Sequence, residues 1–64
     1  MKIFEGLFGQ YVIRVKADSK EDARKKILSK FNSYKEGSKK KEYIKQFINK
    51  DFTIIEVIKR NMRN

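Results

Sequence analysis

The residues best able to do chemistry in this chain are lysines. Lys35 and the run Lys39-Lys40-Lys41 crowd around Glu36-Gly37-Ser38, with Lys45 about a turn further on and Lys25 and Lys26 upstream. From Arg24 to Lys50 ten residues are basic, against Glu36 and Glu42 alone on the acidic side, which leaves +8 on that stretch. Charge at this density attracts phosphate backbones and acidic surfaces and raises the rate of encounter. A lysine patch holds phosphates but does not read sequence, because reading requires side chains at base edges. Tyr34 and Tyr43 flank the lysine-rich connection and, with Tyr11, are placed to stack on unpaired bases. The same rings would equally close the ends of apolar stripes, with their hydroxyls in water. Thirteen of the seventeen basic residues are lysine, so codon bias in an AT-rich genome is the competing source of the charge.

Catalysis has little to work with. Histidine is absent, so no side chain titrates near neutral pH without a large shift. Cysteine is absent too, which removes a thiolate nucleophile, any disulfide and any Cys/His zinc site. Asp18, Glu21 and Asp22 lie close in sequence, but they lack the alternate-position oxygens and the turn glycine of a calcium loop. Gly6 and Gly9 are not followed by the Lys-Ser or Lys-Thr of a phosphate-binding loop. A non-enzyme with no metal and no cofactor is expected.

The elements that must position the lysines follow from apolar spacing. Lys2 to Glu5 reads as a first strand, and Gly6 and Gly9 bracket Leu7-Phe8 in a four-residue hairpin connection. The alternative is one long strand with glycine bulges. In either case Leu7 and Phe8 stand near a turn, folded over a core edge or displayed as anchors for a protein partner. Tyr11, Ile13, Val15 and Ala17 alternate with Val12, Arg14 and Lys16, the period of a half-buried strand. Asp18-Ser19 stops that strand and caps a helix expected from Lys20 to Lys35, with Glu21 and Asp22 in its first turn and Gly37 as its stop. Ser38 can cap a second helix running to Asn49, in which Tyr43, Ile44, Phe47 and Ile48 share a stripe. Lys39, Lys40 and Lys41 in its first turn have the wrong sign for the helix dipole. Phe52 to Lys59 carries apolar residues at both parities and reads as a well-covered third strand.

The expected fold is α+β, a single compact domain over 1–64 with a frayed tail at 60–64. Three antiparallel strands in the order β-β-α-α-β carry both helices on one face. The expected core is Ile13, Val15, Ala23, Ile27, Phe31, Phe47, Ile48, Ile55 and Val57. A 64-residue chain buries only about 60% of its unfolded surface, so these residues hold a marginal domain. No stretch reaches the roughly 20 apolar residues of a membrane span, and the start lacks a signal peptide's apolar core. A soluble protein of the host cytoplasm is expected.

Val15-Lys16-Ala17-Asp18-Ser19-Lys20-Glu21-Asp22-Ala23, then Lys26-Ile27, and later Asp51-Phe52 resemble the small DpnD/PcfM-like proteins of phages and conjugative elements. The resemblance covers under half the chain, and it implies an accessory protein of a mobile element. Two functions are consistent with these residues. In one, Lys25, Lys26, Lys35, Lys39, Lys40, Lys41 and Lys45 bind the backbone of DNA or RNA. In the other, the basic surface occupies an acidic protein or ribonucleoprotein, as an anti-CRISPR or anti-restriction inhibitor would, with Leu7 and Phe8 as apolar anchors.

Overall fold

A computed structural model describes residues 1–58; the expected tail at 60–64, and Lys59 at the expected end of the third strand, lie outside the described residues. Gly9 and Gln10 alone separate the first two strands, β1 (Lys2–Phe8) and β2 (Tyr11–Ala17). Gly9 has φ 62°, the left-handed conformation that a two-residue hairpin turn needs at its first central position. The tight turn closes on Phe8 opposite Tyr11 and fixes the register through Gly6–Ile13, Phe4–Val15 and Lys2–Ala17. Gly6 is therefore a strand residue, and the four-residue connection expected around Leu7-Phe8 is replaced by a longer β1.

Ser19 is the N-cap of helix α1 (Lys20–Asn32), its hydroxyl accepting from the Asp22 amide at 3.1 Å. The helix ends three residues before the expected Lys35. The Ser33 amide and hydroxyl both donate to the Lys30 carbonyl, at 3.1 and 2.6 Å, a side-chain bond that competes with helix continuation. Gly37 lies further on, in the connection. Ser38 then caps α2 (Lys39–Ile48), accepting from the Lys41 amide. The chain returns as β3 (Thr53–Val57), antiparallel to β1, which gives a three-stranded sheet ordered β2-β1-β3.

The fold is the expected α+β arrangement, with both helices contributing to one core. Phe4, Phe8, Ile13, Ala17 and Ile54 from the sheet meet Ala23, Ile27 and Phe31 from α1 and Ile44 and Ile48 from α2. Gly6 lets α1 approach: a Cβ there would lie 3.0 Å from Ile27 Cδ1 and 3.0 Å from Phe8 Cε2. The expected parity of the last strand is reversed. Ile54 pairs with Gly6 on the helix side and is buried, whereas Ile55 pairs with Glu5 on the outer face and is 41% exposed. Val15, Phe47 and Val57 are half-buried, and Ile44, Phe4 and Phe8 take the central places.

The sheet's two edges differ. Antiparallel strands alternate between residues that bond their neighbour and residues that face away. Closure of the hairpin at Phe8–Tyr11 turns the backbone of Val12, Arg14 and Lys16 outward on β2. It also directs Ile3, Glu5 and Leu7 toward β3. Two α1 lysines occupy the β2 edge: Lys26 Nζ donates to the Lys16 carbonyl at 2.9 Å, and Lys30 Nζ to the Arg14 carbonyl at 3.1 Å. Lysine ammonium groups on edge carbonyls discourage a further strand from pairing there. No strand pairs with the far side of β3 among the described residues.

Candidate nucleic-acid interface

The lysines expected to act together around the α1–α2 connection differ in how far the fold engages them. Lys41 is a correction to that expectation. It is 5% exposed, and its ammonium group is committed inside the molecule. It donates to the Tyr34 carbonyl at 3.2 Å, pairs with Glu36 Oε2 at 2.9 Å and lies 5.3 Å from the Phe31 ring centroid. Lys41 is thus a latch that ties the start of α2 to the end of α1. Lys45 is partly neutralised, at 3.4 Å from Glu42 and 3.9 Å from Glu36. Lys40 stands over the rings of Tyr34 and Tyr11, at 5.0 and 5.9 Å. Lys25, Lys35 and Lys39 are exposed, with no ion pair among the described residues.

The tyrosines are likewise held by the fold. Tyr11 and Tyr43 meet edge-on at 5.3 Å, and Tyr34 meets Phe31 edge-on at 6.5 Å. All three are half-buried, as rings that close apolar stripes would be. Phe8 is a second correction. It is fully buried, because the longer β1 carries it to the helix side of the sheet against Phe52, centroid to centroid 4.8 Å. Its surface is closed to a partner. Leu7 lies on the outer face and is half-buried.

The Lys41–Glu36 latch has a pH signature. Lys41 beside it, by hydrogen bond and then by charge, and Lys45 by charge hold the Glu36 carboxyl below its usual range. A carboxyl whose folded pKa is depressed stabilises the fold above its unfolded pKa, and that contribution is lost as pH falls through the folded value. Glu36→Gln should therefore flatten the acid limb of the stability profile relative to wild type. Lys41→Met should lower stability by about 1–3 kcal/mol at neutral pH, the range for a charge-assisted hydrogen bond whose carbonyl partner is left behind. Lys39→Met should change it little. Thermal melts of the three variants between pH 3 and 7 would check this (~4 is the ordinary carboxylate pKa). A Lys41→Met melt equal to that of Lys39→Met would show the latch to be inert.

A different cationic cluster is assembled where β2 meets α1. Arg14, Lys16, Lys26 and Lys30, together with Ile3 and Val15, line an open cleft of about 500 Å³. Lys26 and Lys30 are four apart on α1, hence on one face, and reach the β2 edge from the helix side, while Arg14 and Lys16 are two apart on β2 and lie on the outer face, so the cleft runs along that edge. Two carboxylates adjoin it. Glu5 Oε2 accepts from Arg14 at 2.7 and 3.0 Å, and Asp22 stands 3.5 Å from Lys26. Four cations against two carboxylates leave a net +2. Lys16 has no ion pair among the described residues, and the Lys30 ammonium spends only one of its three donors.

Of the residues expected to bind a partner, only Lys26 lines this cleft. Arg14, Lys16 and Lys30 were missed because they are separated along the chain and are joined only by packing α1 on β2. The alternation of Arg14 and Lys16 on the polar face of a strand was the one signal that could have found them. Among the described residues there is no group of acidic side chains that could hold a metal ion, and no helix is long and apolar enough to cross a membrane. No family model, curated protein or solved structure matches the chain.

Proposed function

We propose that this protein is a non-enzymatic accessory factor that binds the phosphate backbone of nucleic acid through the β2–α1 cleft. The single observation that carries the reading is the convergence of Arg14, Lys16, Lys26 and Lys30 on one open cleft. Exposed Lys25, Lys35 and Lys39 add to the field that draws a polyanion in, and the net charge of +9 favours the encounter. The cleft offers cations, not groups arranged to read base edges, so binding is tolerant of sequence and steeply weakened by salt. The resemblance of Val15–Ala23 to small mobile-element proteins adds the context of a phage or conjugative element.

Lys16→Glu/Lys30→Glu should weaken binding to a short duplex at least tenfold and make the salt slope shallower by about two, one unit for each phosphate no longer neutralised. Lys35→Glu/Lys39→Glu carries the same change in net charge and should cost less. Fluorescence anisotropy over a salt series measures both. Equal losses in the two double variants would leave only a diffuse field and refute the cleft. An acidic protein in the same cleft would instead be recovered from host lysate after nuclease treatment.

A further inference from the structure

The outward edge of β3 and the apolar residues beside it point to a surface that is separate from the basic cleft. Thr53, Ile55 and Val57 spend their backbone groups on β1, in register with Leu7, Glu5 and Ile3. The alternation then turns the N–H and C=O of Ile54 and Glu56 away from the sheet. Beside this edge Ile55 is 41% exposed and Ile58, one residue past the strand, is 72% exposed. The opposite edge of the sheet is held by Lys26 and Lys30, so a strand added to this sheet is directed to β3.

We propose that β3 pairs antiparallel with β3 of a second copy of this chain, about a two-fold axis through Ile55, to give one continuous six-stranded sheet. The edge is complementary to itself in that register. Ile54 faces Glu56 of the second copy and Glu56 faces Ile54, so the four outward backbone groups of each chain exchange hydrogen bonds. Ile55 meets its own copy on the outer face, flanked on each side by Thr53 opposite Val57. Continuing the alternation, the exposed Ile58 falls opposite Phe52, a half-buried ring on the helix side. Side-chain charge does not oppose the register, since the receiving cleft carries two cations against two carboxylates. Glu56 is exposed on the helix side, and in this register it arrives beside Ile54 of the other copy. There Lys20 and Arg24 line a cleft of about 450 Å³ together with Glu21, Asp51, Phe52 and Ile54. At home Arg24 stands 3.9 Å from Asp51 and 4.9 Å from the Phe52 ring centroid. The axis is perpendicular to the sheet, so both helix layers stand on one side of the dimer.

Sedimentation equilibrium of the full chain at moderate salt, where repulsion between two +9 chains is screened, tests the proposal. A monomer–dimer equilibrium is expected, and Ile55→Glu and Glu56→Pro should abolish it. Glu56→Pro removes an edge N–H that β1 does not use, a position where an edge strand tolerates proline. Val12→Glu, equally exposed on the outer face but on the other edge strand, should leave the dimer intact. Amide exchange on the wild-type chain gives a readout that needs no variant: protection of the Ile54 and Glu56 amides should rise with protein concentration. A chain that stays monomeric, or a dimer indifferent to both β3 variants, overturns the proposal. So does protection of those two amides only on adding an extended acidic peptide, which would give the edge to another protein.

Discussion

Phe8→Ala should leave the chain largely unfolded at room temperature, while Leu7→Ala should leave it folded. The two residues are adjacent and similar in hydrophobicity, but they point to opposite faces of β1. Phe8 is fully buried and packs against Phe52 at the centre of the core. Truncating a buried phenylalanine costs about 3–5 kcal/mol, from lost transfer free energy and the cavity left behind. A domain of this size, with no cysteine to form a disulfide, commands only about 3–5 kcal/mol in total. The loss is therefore comparable to the whole stability. Leu7 lies on the outer face beside Val12 and Thr53, where truncation removes partial burial and costs about 1 kcal/mol. Circular dichroism melts of both variants decide the matter. Similar melting temperatures would mean that Phe8 is displayed at a turn with Leu7 and that β1 stops short of it.

That pair also shows where the sequence was readable and where it was not. The alternation in Tyr11–Ala17, the Asp18-Ser19 stop and Ser38 marked β2 and the starts of both helices, because each is a local pattern, and the structure takes Ser19 and Ser38 as the caps. Phe52–Lys59 had apolar residues at both parities, so nothing local chose between Ile54 and Ile55. The choice is made by register with β1, through Gly6 opposite Ile54, and register is a tertiary quantity. Gly6 itself looked like a turn residue and is a packing residue, needed for the approach of Ile27.

Lys41 leaves the expected lysine group for a related reason. Crowding along the chain is not crowding in space on a helix, where successive residues diverge by about 100°. Lys39, Lys40 and Lys41 accordingly meet solvent, two tyrosine rings and the protein interior. An unfavourable lysine at the start of α2 is offset by Glu36, which its ammonium group reaches at 2.9 Å. The cleft of Arg14, Lys16, Lys26 and Lys30 draws on residues from two elements, and only the folded α1–β2 layer makes them neighbours.

Gly9→Ala should be the most damaging of the three glycine-to-alanine changes, at about 2–5 kcal/mol. Two costs add there. An L-residue held at φ 62° pays about 1–2 kcal/mol in backbone strain. The new Cβ would also overlap the Tyr43 hydroxyl and stand 2.9 and 3.0 Å from two carbons of its ring. Overpacking of this kind costs about 1–3 kcal/mol. Gly37 separates the two costs, because it has φ 83° with nothing within 4 Å of a Cβ. Gly37→Ala should therefore show the backbone cost alone. Tyr43→Leu in the Gly9→Ala background should recover part of the difference, a coupling that a double-mutant cycle reads directly. The physical point is that Tyr43 seats α2 on the hairpin: its ring rests in the space that Gly9 leaves open and against Tyr11 across the turn. Equal losses at Gly9 and Gly37 would mean that α2 is not anchored there, and that the hairpin turn and the second helix are independent of each other.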